Sequence, residues 1–147
     1  MCNIAKKYFT VTDIINCYLA PLFALALRLV IFKDFFTSGW LKLGYIINNQ
    51  WDTVIYLFSE EYRVPFLPPE VAAVLGTFNE LTFPVLILVG LATRFSGIMI
   101  LFMSILIELT FMQSPIHFIW MISASYLILY GPGVLSIDYF IAKKCRK

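Results

Sequence analysis

Charged residues are scarce in this chain. Its 147 residues include only 11 Lys and Arg and 9 Asp and Glu, or 14%, where a soluble domain carries about 25%. Disorder requires low hydrophobicity with high net charge, and nucleic-acid binding requires a basic face. A formal charge of +2 on a chain that is 61% hydrophobic excludes both, so no nucleic-acid partner is expected. Cysteine is also sparse. Cys2, Cys17 and Cys145 stand near the termini without CxxC spacing, which argues against a disulfide framework or a catalytic dithiol. With His117 as the one histidine, zinc has no ligand set, no metal is expected, and haem held by two histidines of one chain is excluded. No GxGxxG, Walker, HExxH or GxSxG run is present.

What the chain has in abundance is apolar surface. Its mean hydropathy is +0.84, and a chain this short, read as one domain over 1–147, has too little interior to hide that surface from water. The expected class is an integral membrane protein whose main partner is the lipid bilayer. The 14 Phe, 8 Tyr and 3 Trp suit lipid-facing and interfacial positions, so they do not by themselves define a quinone site.

Hydropathy and spacing predict an all-α fold: a four-helix membrane bundle with spans over approximately 20–43, 70–91, 95–112 and 116–135. The leading segment reads as retained, with a short interfacial helix over 8–18. Between the first two spans, Trp51, Val54, Ile55 and Phe58 repeat at helical spacing beside Asp52, Ser59 and Glu60. That pattern predicts a short external amphipathic helix over 48–60, stopped by the VPFLPP run. Four spans put both termini on one side with Lys6, Lys7, Arg94, Lys143, Lys144, Arg146 and Lys147, against Lys42 and Arg63 on the other. The positive-inside rule makes the termini cytoplasmic.

Ionisable residues inside spans cost roughly 2.5–3.5 kcal/mol each when they face lipid, so they turn toward the bundle interior. Arg28, Lys33, Asp34, Glu80 and Glu108 are the candidates here. Counting rise per residue from the cytoplasmic ends puts Arg28 and Glu80 within a turn or two of one level, which predicts a pair at the floor of an outward-opening polar pocket. Lys33, Asp34 and Glu108 form a second, outer layer, and Thr77 shares the face of Glu80 one turn away. Gln113, His117 and Trp120 form the external rim. The competing reading of the same charges is a structural clamp between helices.

The charged and glycine-bearing stretches resemble the DoxX family of small four-span membrane proteins. The resemblance rests on Arg28, Gly39 and Lys42 in the first stretch. It continues through Glu80, Pro84, Gly90, Leu91, Thr93 and Arg94 in the second, and Gly131, Gly133, Ser136 and Asp138 in the closing GPGVLSID. It implies a bacterial inner-membrane, multi-pass protein that binds a small lipophilic or redox-active molecule or anchors a redox-protein partner. The namesake branch implies a further alternative, the membrane subunit of a quinone-linked, thiosulfate:quinone-type oxidoreductase, with quinone as cofactor. A small transporter or lipid-handling protein is a third, and a homo-oligomer fits any of them. No thiosulfate chemistry is assignable to these residues, and no catalytic residue is nominated.

Overall fold

The computed structural model describes residues 19–145 apart from Met112. The interfacial helix expected over 8–18 lies outside the described residues. The first helix, α1 (Ala20–Ile47), begins with Pro21 in its first turn, where a missing N–H breaks no helical bond. Its buried residues are Ala24, Arg28, Ile31, Phe35, Gly39 and Lys42. Their spacing of three or four marks one stripe facing the bundle.

After a tight turn in which Asn49 has φ 57°, α2 (Trp51–Tyr56) runs directly into a π-helical turn over Leu57–Tyr62. This is the helix expected over 48–60. Val54 and Phe58 are buried against Ala72 and Ala73, while Trp51 pads the edge of that cluster. The close seat of Phe58 depends on Gly76, where a Cβ would lie 2.4 Å from the Phe58 ring.

Helix α3 (Pro69–Val89) also starts on proline and carries Pro84 inside it. It ends at Gly90, whose φ of 71° is left-handed and favours glycine. Helices α4 (Thr93–Thr110), α5 (Pro115–Tyr130) and α6 (Ile137–Cys145) follow. In the four-helix bundle, α1 packs on α3 and α5, and α4 completes the ring by packing on the same two helices. Ile31, Phe35, Phe83, Ile87, Ile100 and Leu127 fill its centre.

The bundle's outside is apolar. Leu29, Val74, Phe78, Phe102, Ile122 and Leu129 are all exposed, an arrangement suited to lipid and unfavourable in water. Helices α3 and α4 are long and apolar enough to cross a membrane. Helix α1 has the length, 28 residues, but carries Arg28, Lys33, Asp34 and Lys42; α5 is apolar but has 16 residues.

Candidate ligand cavity and its buried ion pair

The pair expected between Arg28 and Glu80 does not form. At Gly39 the backbone of α1 comes so near α3 that a Cβ would sit 2.9 Å from the Glu80 Cβ. Glu80 is therefore level with Gly39, and Arg28 lies eleven residues away along α1, about 16 Å at helical rise. The expectation assumed that the start of the first span and the end of the second, its cytoplasmic end, are level. Instead the first turns of α1 reach past the end of α3, and Gly133 of the closing loop packs there against Pro21 and Ala24.

Arg28 serves that overhanging end. Its Nε donates to Ile87 O at 2.8 Å, and its Nη2 donates to Leu88 O. Its Nη1 donates to Leu135 O at 2.7 Å and to Pro132 O at 3.2 Å. The last carbonyls of a helix lack intrahelical donors and hold partial negative charge, so a buried guanidinium satisfies both needs. Gly90 must be glycine for this junction, since a Cβ would meet the Ser136 Cβ at 2.4 Å and the Arg28 Nη2 at 3.2 Å.

Asp138 completes it. The carboxylate accepts the Ala92 and Thr93 N–H groups, each at 2.9 Å, and the Asp138 N–H donates to Gly90 O at 2.8 Å. Ser136 accepts the Tyr139 N–H and donates to Gly133 O. Gly131 and Gly133 hold φ values of 81° and 82° in the loop between α5 and α6. Thr93 is buried and Arg94 exposed in the first turn of α4. These residues close one end of the bundle.

Glu80 instead meets Lys42. The ammonium donates to both carboxylate oxygens, at 2.8 and 2.6 Å, and to the Ser38 hydroxyl at 2.9 Å. The two side chains are 3% and 5% exposed, so this ion pair is cut off from solvent. The π-helical turn brings the Tyr62 and Phe58 rings to 5.2 and 5.9 Å from the Lys42 nitrogen, where their faces attract a cation. Lys42 is the member of the site that the sequence reading counted with the external charges and the family-motif positions, not with the polar pocket. Its position three residues after Gly39, on the stripe already holding Arg28, is the signal that marks it as inward.

Beside this pair lies a cavity of about 320 Å³ between α3, α4 and the π-helical turn. Leu75, Met99, Phe102, Met103 and Leu106 give it an apolar lining, and Glu80 and Asn79 are among its few polar groups. A smaller chamber of about 90 Å³ shares Tyr62, Glu80 and Ile107 with it.

The outer polar layer borders that chamber. The Trp120 indole N–H donates to Asp34 Oδ2 at 2.8 Å, and His117 Nδ1 lies 2.7 Å from Glu108 Oε2. The His117 and Trp120 rings stack with centroids 5.0 Å apart. Glu80, Glu108, Asp34, His117 and Trp120 are thus gathered in one region. Lys33 is exposed and lines an open cleft between α1 and α5. Gln113 is exposed as well. Thr77 is buried on the Glu80 face, and its hydroxyl has no hydrogen-bond partner among the described residues.

An apolar cavity thus adjoins a small chamber lined by carboxylates and aromatic rings. Among the described residues no three His, Cys, Asp or Glu side chains are grouped to hold a metal ion.

Comparison with curated proteins and with solved structures found no match. A family model described as DoxX matches residues 23–113, a stretch that contains α1 from Phe23 onward, the ion pair, the large cavity and all of α3 and α4. That match covers more than half of the sequence, and the chain belongs to the DoxX family.

Proposed function

We propose that this protein is a four-span inner-membrane protein that holds a small lipophilic molecule in the cavity beside Lys42 and Glu80. The observation that carries the reading is a cavity of about 320 Å³, almost wholly apolar, with one buried ion pair in its wall. Ligand sites commonly combine an apolar lining with a few fixed polar groups. An ion pair is also costly to desolvate, and a pure packing role is served as well by apolar residues.

The four-span reading is supported by how α1 and α5 pack with the two long apolar helices in a single ring. At about 1.5 Å per residue, α1 is some 42 Å long, enough for the ~30 Å hydrocarbon. Its Arg28 and Lys42 are turned inward with partners and meet no lipid. Helix α5 is shorter, and the coil over 131–135 extends its path toward α6. Arg94, Lys143 and Lys144 gather at the α6 end, which the positive-inside rule makes cytoplasmic.

Topology is tested by cysteine labelling in intact cells, with the native cysteines replaced by serine. Ser59→Cys should react with an impermeant maleimide, and Lys147→Cys should react only after permeabilisation. Labelling of Lys147→Cys in intact cells would overturn the orientation.

Ligand holding is tested by native mass spectrometry of the protein released from mild detergent. The wild type should retain a small lipophilic molecule. Leu75→Trp, which fills the cavity from its partly exposed wall, should retain several-fold less with an unchanged melting midpoint. Equal retention by the two proteins, or no bound molecule in the wild type, would remove the proposal.

A further inference from the structure

Three cavities lie in a row across the bundle. The open cleft between α1 and α5, of about 410 Å³, shares Asp34, Ser38 and Trp120 with the 90 Å³ chamber, and the chamber shares Tyr62, Glu80 and Ile107 with the 320 Å³ apolar cavity. The chamber is where the polar end of an occupant would sit, and its chemistry is one-sided. Building on the ligand-holding reading above, we infer that the occupant is a lipophilic amine: an organic cation whose ammonium lies in the chamber and whose apolar body fills the large cavity.

The charge balance carries this. Three carboxylates surround the chamber: Asp34 and Glu80 line it, and Glu108 is joined to its His117 wall. Lys42 answers Glu80 with two hydrogen bonds, and the His117 ring answers Glu108. Asp34 receives only the neutral indole N–H of Trp120. Lys33, its neighbour in sequence, is exposed and forms no ion pair with it, and neither does any other described residue. A half-buried carboxylate at the chamber mouth is thus left without a countercharge, which is the costly arrangement inside a membrane.

Hydrogen-bonding capacity points the same way. His117 Nδ1 is committed to the Glu108 carboxylate. Asp34 Oδ1 has no partner among the described residues. A head group that donates matches this open carboxylate oxygen.

An ammonium supplies the donors and the charge together. It would also lie among the Phe35, Tyr62, Phe111 and Trp120 rings that line the chamber, a setting that favours organic cations. A carboxylate head would face the unanswered like charge of Asp34. A neutral hydroxyl would satisfy acceptors and leave Asp34 uncompensated. A bare metal ion lacks a ligand group among the described residues.

The test compares octylamine, octanol and octanoate, which share one chain and differ in the head. Each is titrated into the protein in lipid nanodiscs, with empty nanodiscs subtracted. Trp120 fluorescence is the reporter, in a Trp40→Phe, Trp51→Phe background. Octylamine should bind roughly tenfold more tightly than octanol, as expected for one charge-assisted contact, and octanoate should be weakest. Asp34→Asn, which keeps an acceptor for Trp120, should erase the preference for octylamine over octanol. Octanol or octanoate binding as tightly as octylamine would overturn the amine assignment, and so would a preference that survives Asp34→Asn. The order of the three heads on the otherwise unaltered chamber decides the matter even where Asp34→Asn folds poorly. Failure of all three, together with an empty wild-type mass spectrum, would remove the cavity reading itself. Octanol binding without amine preference would remove only the head group.

Discussion

Arg28→Leu should destabilise the protein by about 3–5 kcal/mol, at the upper end of what a single change costs. The carbonyls of Ile87, Leu88, Pro132 and Leu135 all converge on this guanidinium. Removing it strands acceptors from two separate segments at once. Each unsatisfied buried group costs about 1–3 kcal/mol, and water reaching the bundle end recovers part of the sum. Arg28→Lys should fall between the wild type and Arg28→Leu, because an ammonium is a point donor and cannot reproduce the planar fork that reaches both α3 and the closing loop. The measurement is the unfolding midpoint in mild detergent, followed by circular dichroism. A midpoint for Arg28→Leu within about 0.5 kcal/mol of wild type would mean that water already solvates these carbonyls.

This role for Arg28 marks the limit of what the sequence could convey. The apolar composition and helical spacing were enough to expect an all-helical chain, and the stripe through Trp51, Val54, Ile55 and Phe58 indicated the short helix. The effect of proline and glycine on helix ends is local. Pro69 and Pro115 open helices, and Gly90 closes one in a left-handed conformation. Which polar residues would meet depended on something non-local: how far α1 slides along α3. That stagger is set by Gly39 against Glu80 and by the closing loop against Pro21 and Ala24, contacts between residues far apart in sequence. Levelling the two spans, the start of the first with the end of the second, made Arg28 the partner of Glu80. Aligning them at Gly39 puts Lys42 there.

The outer layer was more legible than its pairings. Asp34 and Glu108 were expected in one layer with Lys33, and His117 and Trp120 on the rim with Gln113. Asp34, Glu108, His117 and Trp120 gather around the small chamber, while Lys33 and Gln113 are exposed outside it. A single sequence could not indicate that the indole would take Asp34 and the imidazole Glu108, because those choices turn on side-chain directions across three helices. The large cavity was not legible at all. It lies between α3, α4 and the π-helical turn that carries Phe58 and Tyr62, and an extra residue in a helical turn leaves little mark on apolar periodicity.

Lys42→Met and Glu80→Leu should each cost about 3–5 kcal/mol, since each leaves a buried charge without its partner. The double replacement should lie within about 1–2 kcal/mol of the wild type, far less than the summed singles. Of the two singles, Lys42→Met should be the worse. Without Glu80, the ammonium still has the Ser38 hydroxyl and the Tyr62 and Phe58 rings. Without Lys42, the carboxylate loses the donor that satisfies both of its oxygens. Unfolding midpoints of the four proteins form a double-mutant cycle that reads the coupling directly, and additive costs would show that the two charges do not depend on each other. The same four proteins separate structure from binding. If the double variant is stable and still retains the molecule seen by native mass spectrometry, the pair is a clamp between α1 and α3. If it is stable and comes out empty, the charges have been kept in the membrane for the ligand, because apolar side chains hold the helices together as well.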